Sequence, residues 1–430
     1  MVVTGRAALL AALGVLWVGF VQPGWDGVLV WLAVVGLAVV ADVVLAASPR
    51  ALAVTRETSA SVRLGEPTSS LLTLTNRGRR RLRGRVRDAW PPSAGAVDDR
   101  HALVLAGGDR RRVVTSLRPT RRGDRVADRV TVRSLGPLGV AGRQRALDVP
   151  GRLRVLPPFT SRRHLPSRLA RLREIDGRSA TNIRGQGTEF DSLRDYVEGD
   201  DVRSIDWRAT ARRRQVVVRT WRPERDRRIV LAVDTGRSSA ARIGDEPRLD
   251  AALDAALLVA AVAARAGDRV GLVAADVAVR ARLGTTGGAQ LLPALVDALA
   301  ALEPALVETD PQLLAGEVLR QVGQRSLVVL FGSLDTGTDT GLLPAVRSLV
   351  ARHEVIVAAV SDPTLGRWRA QRSSADDVYV AAAAELAAAD RDRVAEGLRR
   401  MGAHVVDAPA DVFASHVADA YLELKAAGRL

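Results

Sequence analysis

Apolar and polar residues change their spacing three times along this chain, and each change marks a different kind of structure. Residues 7–21 and 28–47 are two nearly uninterrupted apolar runs around the break Gln-Pro-Gly-Trp-Asp-Gly at 22–27. A bilayer core takes about 20 helical residues. The second run has that length, and the first reaches it when residues 2–5 join it and Arg6 snorkels to the headgroups. Asp42 lies close enough to the end of the second run to reach water, and Trp17, Trp25 and Trp31 are placed for the interfaces. The pattern predicts a transmembrane helical hairpin over 1–50. A cleaved signal peptide ending at Ala46-Ala47 is the competing reading, but two apolar runs around a turn do not make a single h-region.

From 53 to 157 the period shortens to two, as in Ser-Leu-Leu-Thr-Leu-Thr at 70–75 and Leu-Arg-Gly-Arg-Val-Arg at 82–87. Asn-Arg-Gly, Pro-Pro and Gly-Gly punctuate these runs, which predicts a small antiparallel β-sandwich over 51–158. Residues 161–184 are polar and arginine-rich and read as a linker, the first part of a connecting region over 159–227. After 228, apolar strand-like runs at 229–233, 269–275, 277–283, 326–331, 354–360 and 404–407 alternate with amphipathic helical stretches. That order predicts an α/β doubly wound domain over 228–430, its sheet covered on both faces, with 269–275 and 277–283 as a hairpin pair. The whole is a multidomain chain, consistent with 430 residues exceeding what one core usually serves.

Composition narrows the chemistry. No cysteine occurs, which excludes disulfides, thiol nucleophiles and thiolate metal sites. Lys425 is the only lysine, so the net charge of +15 is carried by arginine, and it is uneven: residues 229–430 hold 20 basic and 26 acidic side chains, those before them 43 and 22. With Arg6 before the hairpin, Arg50 and Arg56 after it and no arginine in the 22–27 loop, the positive-inside rule predicts that both ends, and the soluble domains, are cytoplasmic. A P-loop needs a lysine after its glycines and finds none here. The five histidines lack zincin spacing and no Gly-x-Ser-x-Gly elbow occurs, so the residues give little support to an enzyme.

One segment has neither period. Residues 187–214, GTEFDSLRDYVEGDDVRSIDWRATARRR, crowd acids and arginines around Tyr196 and Trp207. Its Gly187, Glu189, Phe190, Leu193, Arg194, Tyr196, Gly199, Asp200, Asp201, Arg203, Ile205, Asp206, Trp207, Ala211 and Arg212 resemble the signature of the bacterial family labelled domain of unknown function fifty-eight. The acids admit a divalent-metal reading; the reading preferred here is a polar network in which Arg194, Arg203, Arg208 and Arg212 neutralise them beside Trp207. The resemblance implies that a von Willebrand factor A-like domain follows, and that the chain works with a MoxR-type AAA+ ATPase. Upstream, the turn at 134–139 resembles the family's Asp-Pro-Phe-Gly-Leu-like turn, with Gly136 where many relatives have Asp.

The same resemblance points to Asp234-Thr235-Gly236-Arg237-Ser238, where a metal-ion-dependent adhesion site would hold a divalent ion. Asp234 and Ser238 match, Gly236 replaces a Ser, Asp335 stands late in the second acidic loop, and Thr285 or Thr286 would supply the distal hydroxyl. Either a weakly held Mg²⁺ or a turn capped by Asp234 satisfies the pattern. The functional expectation is a non-enzymatic scaffold on the inner membrane that serves such an ATPase in assembly or remodelling. Nucleic-acid binding through the arginine-rich front half is the alternative, though that half lacks interleaved aromatic residues for stacking bases. A divergent hydrolase is the third.

Overall fold

The computed structural model of the chain describes residues 1–182, 189–222, 227–244, 246–335 and 339–430. They form two compact units, Met1–Leu156 and Pro157–Leu430.

The N-terminal unit begins with two helices, α1 (Gly5–Phe20) and α2 (Trp25–Leu45). Gly14 lets them meet, because a Cβ there would lie 2.2 Å from Trp31 Cδ1. Trp31 stacks on Trp17 with ring centres 5.7 Å apart and donates its Nε1–H to the Leu10 carbonyl at 3.1 Å. These two tryptophans are therefore helix-to-helix contacts rather than the interface anchors expected; Trp25 alone of the three is largely exposed. One segment, Trp25–Ala51, is long and apolar enough to cross a membrane. The 16 residues of α1 rise only about 24 Å at 1.5 Å each.

Twelve strands complete this unit: β1 (Val2–Val3), β2 (Leu52–Thr58), β3 (Ser61–Arg63), β4 (Thr68–Asn76), β5 (Leu82–Asp88), β6 (Ala96–Val97), β7 (Arg100–Leu105), β8 (Arg110–Leu117), β9 (Gly123–Val126), β10 (Val130–Leu135), β11 (Ala141–Leu147) and β12 (Arg152–Leu156). They pair in the orders β1-β11-β10-β5-β7, β2-β4-β8-β6 and β3-β12-β9. The pairing is antiparallel except for β3 with β12, which is parallel, so the module is not the purely antiparallel sandwich expected. Alternation puts Leu72, Leu74, Leu82, Val86, Leu103 and Val132 in one core. Arg56 is buried against Asp88, whose other oxygen accepts the Trp90 indole N–H at 3.2 Å.

Asp42 does not reach water. It is fully buried and accepts the backbone N–H groups of Leu138 at 2.8 Å, Val140 at 2.7 Å and Ala141 at 3.0 Å. Arg143 Nε and Arg80 Nη1 donate to the Val43 and Val44 carbonyls at 2.8 and 2.9 Å, capping the end of α2. At the same end of the pair, just before α1, β1 is hydrogen-bonded to β11 and Thr4 Oγ1 donates to Gly139 O at 2.7 Å. The start of α1 and the finish of α2 are thus fixed to the same strand and turn.

The C-terminal unit opens with α3 (Leu165–Asn182), where a linker was expected. Leu165, Leu169, Leu172 and Ile175 fall on one face at spacings of four, three and three and join the main core, with Leu172 only 3% exposed. A sparse apolar stripe suffices because arginines fill the other faces. Next come β13 (Glu189–Asp195), α4 (Trp207–Arg213) and β14 (Val217–Arg222), then β15 (Arg228–Asp234), α5 (Arg237–Ala240) and a ribbon of β16 (Arg242–Ile243) and β17 (Glu246–Pro247). The remainder is α6 (Arg248–Arg265), β18 (Arg269–Ala275), β19 (Val279–Thr286), α7 (Leu291–Ala300), α8 (Pro311–Gln321), β20 (Leu327–Gly332), α9 (Asp339–Val350), β21 (Glu354–Ser361), α10 (Pro363–Ala370), α11 (Ala375–Arg400), β22 (His404–Pro409) and α12 (Ala410–Ala426).

Six strands make one sheet in the order β19-β18-β15-β20-β21-β22, parallel except for the edge strand β19. Ile229, Leu231 and Val233 of β15 face a core with α6 and α12, while Val230 and Ala232 face a second with α8, α9 and α11. Burial on both faces explains why the central strands read as continuous apolar runs.

Candidate functional site

In an open parallel sheet the loops at the carboxyl ends of the strands gather groups from separate elements. Here β15 ends on Asp234, which is 8% exposed. Its Oδ1 accepts the Gly236 N–H at 2.7 Å and the Thr309 hydroxyl; its Oδ2 accepts the Ser238 hydroxyl at 2.6 Å. Ser239 Oγ closes the turn on the Asp234 carbonyl at 2.7 Å. The segment before α8 is tied in by Arg237 N to Val307 O at 2.8 Å and Ala305 N to Thr235 O at 2.8 Å.

Gly236 follows from this closure. A Cβ there would stand 2.0 Å from Thr309 Oγ1 and 2.8 Å from Val307 O. The hydroxyl missing from position 236 is replaced by one from Thr309, 75 residues beyond Asp234, which no local motif indicates. Thr285 and Thr286 are not its source. They lie on β19, whose Thr286 pairs with Val270 near the start of β18, whereas Asp234 pairs with Ala275 at that strand's finish.

Asp335 is held differently. Its Oδ2 accepts Arg248 Nη1 and Ser333 Oγ, both at 2.7 Å, and its Oδ1 accepts Arg391 Nη1 at 2.8 Å. Arg391 Nη2 continues to Asp407 at 2.8 Å, so a buried guanidinium from α11 links the loop after β20 to β22. Partial burial raises the Asp335 pKa, but Arg248, the Ser333 hydroxyl and Arg391 together outweigh it and hold the carboxyl below its ordinary value. The edge therefore brings Asp234 and Ser238 together with Thr309, and places Asp335 in an arginine bracket. Mg²⁺ takes oxygen ligands and is repelled by guanidinium. One carboxylate with two hydroxyls already bonded to it, beside a second carboxylate neutralised twice, fits a divalent ion poorly. Among the described residues no cluster of three His, Asp or Glu side chains has metal-binding geometry.

Between β15, β20, α8 and α9 lies a cavity of about 250 Å³. Leu314, Val318, Leu330, Leu342 and Leu349 line it together with Asp234, Thr309 and Ser333.

The signature segment is a second cluster. Strands β13 and β14 pair antiparallel, and the chain between them returns through α4. Arg194 forms a two-pronged pair with Asp200 at 2.7 and 2.5 Å, while Val197 N donates to Asp200 at 2.9 Å. Gly199 has φ +107°, a conformation costly to other residues. Asp201 accepts Arg203 N at 2.9 Å; Asp206 caps α4 by accepting Arg208 N and Ala209 N at 3.0 Å each, and its other oxygen takes Arg219 Nε at 2.9 Å. The Ala209 N–H first, then Arg219, lowers the Asp206 pKa; Arg194 first, then Val197 N–H, lowers that of Asp200.

This arrangement corrects the expected network. Trp207 is 67% exposed and Tyr196 is at the surface, so no ion cluster is built around a buried indole. Arg219, outside the motif, is the partner of Asp206. Arg203, Arg208 and Arg212 are exposed, and among the described residues Arg212 Nε donates to the Arg208 carbonyl at 3.4 Å. Asp200, Asp201 and Asp206 each have a local task in the hairpin. Gly187 lies outside the described residues.

Comparison with known proteins places these observations. Uncharacterized protein Rv1480 of Mycobacterium tuberculosis (strain ATCC 25618 / H37Rv) and Uncharacterized protein Mb1516 of Mycobacterium bovis are each 30% identical over 183 residues. That match is 42% of this chain and 57% of each relative, so the chain spans little more than half the length of either. The crystal structure of conserved hypothetical protein BatB from Bacteroides thetaiotaomicron is similar over 47% of this chain and 99% of its own, with a TM-score of 0.32 and 15% identity. The family described as Protein of unknown function DUF58 matches residues 192–367, from β13 through the middle of α10. The hairpin from residue 192 onward, the Asp234 turn and the cavity beside it fall within that match, so residues 192–367 of this chain are similar to the DUF58 family.

Proposed function

We propose that the chain is a membrane-anchored, non-enzymatic scaffold whose C-terminal unit, a von Willebrand A-like platform, receives a MoxR-type AAA+ ATPase at the carboxyl edge of its sheet. The observation that carries the reading is the cavity beside Asp234, lined by apolar side chains of α8, β20 and α9 together with Asp234, Thr309 and Ser333. Such a recess suits an apolar side chain delivered with a polar flank, the usual form of an interface anchor. The polar groups around it are committed to one another, which suits a preformed binding surface better than acid–base chemistry. The strand order, with one antiparallel edge strand, supports the von Willebrand A-like assignment.

Two spans anchor this platform. Support comes from the exposed apolar faces of α1 and α2 and from the attachment of the outer ends of both helices at β11, which gives a hairpin with both ends on one side. Exposed Arg50 beyond α2 favours the cytoplasmic side; Arg56 is buried and adds little. In the test, the full chain is co-expressed with a MoxR-type ATPase from the same genome and purified by a tag on the chain. Asp234→Ala, which leaves the Gly236 N–H without its acceptor, and the cavity-filling Leu342→Trp should each lower the melt modestly and reduce ATPase recovery at a temperature where both variants are still fully folded. Undiminished recovery with both variants would place the interface elsewhere, and alkaline phosphatase active when fused after Leu430 would reverse the topology.

A further inference from the structure

The turn between β4 and β5 reads Asn-Arg-Gly-Arg-Arg-Arg, and the fold holds it at the end of α2. Arg80 Nη1 donates to Val44 O at 2.9 Å and Arg77 N to Ala51 O at 2.9 Å. Buried Asn76 fixes the turn from inside. Its Nδ2 donates to the carbonyls of Arg80 at 2.9 Å, Leu105 at 3.3 Å and Ala106 at 3.0 Å, and its Oδ1 accepts Gly78 N at 3.0 Å. The β7–β8 turn packs so closely that a Cβ on Gly107 would lie 2.7 Å from Gly78 O. This is a built structure, not a loose basic loop.

Arg50, Arg77, Arg79 and Arg81 are all exposed, and none makes an ion pair among the described residues. Asp109, the acid of the neighbouring turn, spends a carboxylate oxygen on the Ala106 N–H at 3.1 Å. Val44 and Leu45, the last residues of α2, are exposed and apolar, so the arginines begin where the apolar surface stops.

We propose that this turn, with Arg50, binds the phosphate groups of anionic phospholipids where α2 leaves the bilayer. The proposal rests on α2 being a membrane span. Charge complementarity and continuity with α2 select the occupant: unpaired guanidinium groups beside the end of an apolar helix meet headgroup phosphates first, and juxtamembrane basic clusters are drawn to anionic leaflets. No aromatic residue is interleaved in the turn to stack bases.

The absence of cysteine makes a clean test, since Ala106→Cys gives one labelling site at an exposed position beside the turn. The full chain, carrying an environment-sensitive dye there and held in neutral detergent, is titrated with dioctanoyl phosphatidylglycerol and dioctanoyl phosphatidylcholine. Saturable binding of the first and not the second is expected. Each charge removed in Arg77→Gln, Arg79→Gln and Arg81→Gln should weaken it roughly fivefold, equivalent to about 1 kcal/mol. Arg80 stays because it caps α2, and the corresponding Lys variants should keep the preference. Equal binding of both lipids, an unaffected triple Gln variant, the same response to inorganic phosphate, or tighter binding of a single-stranded oligonucleotide would each overturn the proposal. Alkaline extraction of membranes judges the span separately. Release of the chain would remove the span and leave the titration to decide the headgroup site.

Discussion

The single lysine offers the sharpest test of how the C-terminal unit is held together. Helix α12 presents Tyr421 and Lys425, one turn apart, to Asp268 in the turn between α6 and β18. Lys425 Nζ lies 2.9 Å from both carboxylate oxygens, and Tyr421 Oη donates to Oδ2 at 2.6 Å. The Lys and Asp side chains are 3% and 1% exposed. Lys425→Met keeps the volume and strands a buried carboxylate, a loss of about 3–5 kcal/mol. At about 2–4 °C per kcal/mol for a unit approaching this size, calorimetry of the full chain in detergent should show its melt fall by roughly 6–20 °C. Asp268→Asn should cost a similar amount by stranding the ammonium, whereas the double variant should recover most of the loss, because Asn still accepts the Tyr421 hydroxyl. Native chain treated with an amine-acylating reagent should be modified at the α-amino group and not at Lys425. A melt within about 1 °C of the original for Lys425→Met, or ready acylation of Lys425, would refute the buried pair.

Three further outcomes follow from the same geometry. Gly236→Ser should destabilise by about 1–3 kcal/mol, because its Cβ meets Thr309, and melts in magnesium chloride and in EDTA should coincide; a magnesium-dependent gain would restore the ion site. Leu172→Ala should cost about 2–5 kcal/mol in denaturant unfolding if α3 is a docked helix, and almost nothing if it is a linker. The folded pKa of Asp335 is depressed, so its contribution is present above the unfolded carboxylate value of about 3.9 and is lost as pH falls through the folded one. Asp335→Asn should therefore melt lower than the original at neutral pH and converge with it in acid; a gap that persists in acid would show that the charge is irrelevant.

The order of elements in the C-terminal unit is legible in the sequence because strands buried on both faces, such as Leu327–Gly332 and Glu354–Ser361, have no polar alternation to confuse them with surface. The edge strand is harder. It alternates, and begins at Val279 rather than 277. Helix α3 reads as a linker because four large apolar residues in eleven are few, although their spacing is helical throughout. The signature's acids read as one network because they are close in sequence, whereas Asp201 and Asp206 bond mainly to backbone N–H groups just ahead, a capping pattern that leaves Trp207 free to face solvent. Thr309 is beyond reach for the opposite reason: its tie to Asp234 depends on two loops meeting in space.

Asp42 and Gly136 show how two such gaps close on each other. In sequence, one is a charge at the edge of an apolar run and the other a turn short of an acid. In the fold, the Asp42 carboxylate accepts the N–H groups of the 136–141 turn, and a Cβ on Gly136 would lie 2.3 Å from its Oδ1. The acid is supplied from the helix, and glycine is the residue that leaves it room. Asp42→Ala orphans the buried N–H groups of Val140 and Ala141, at about 1–3 kcal/mol each. Gly136→Asp alone drives a second carboxylate against the first and should also destabilise. Together the changes should compensate, since the carboxylate introduced at position 136 enters the space Asp42 vacates and can meet the same donors. Unfolding of the full chain in detergent measures all four forms. A double variant no more stable than Asp42→Ala would mean that the carboxylate must come from α2, and that its task is to hold the helix rather than to complete the turn.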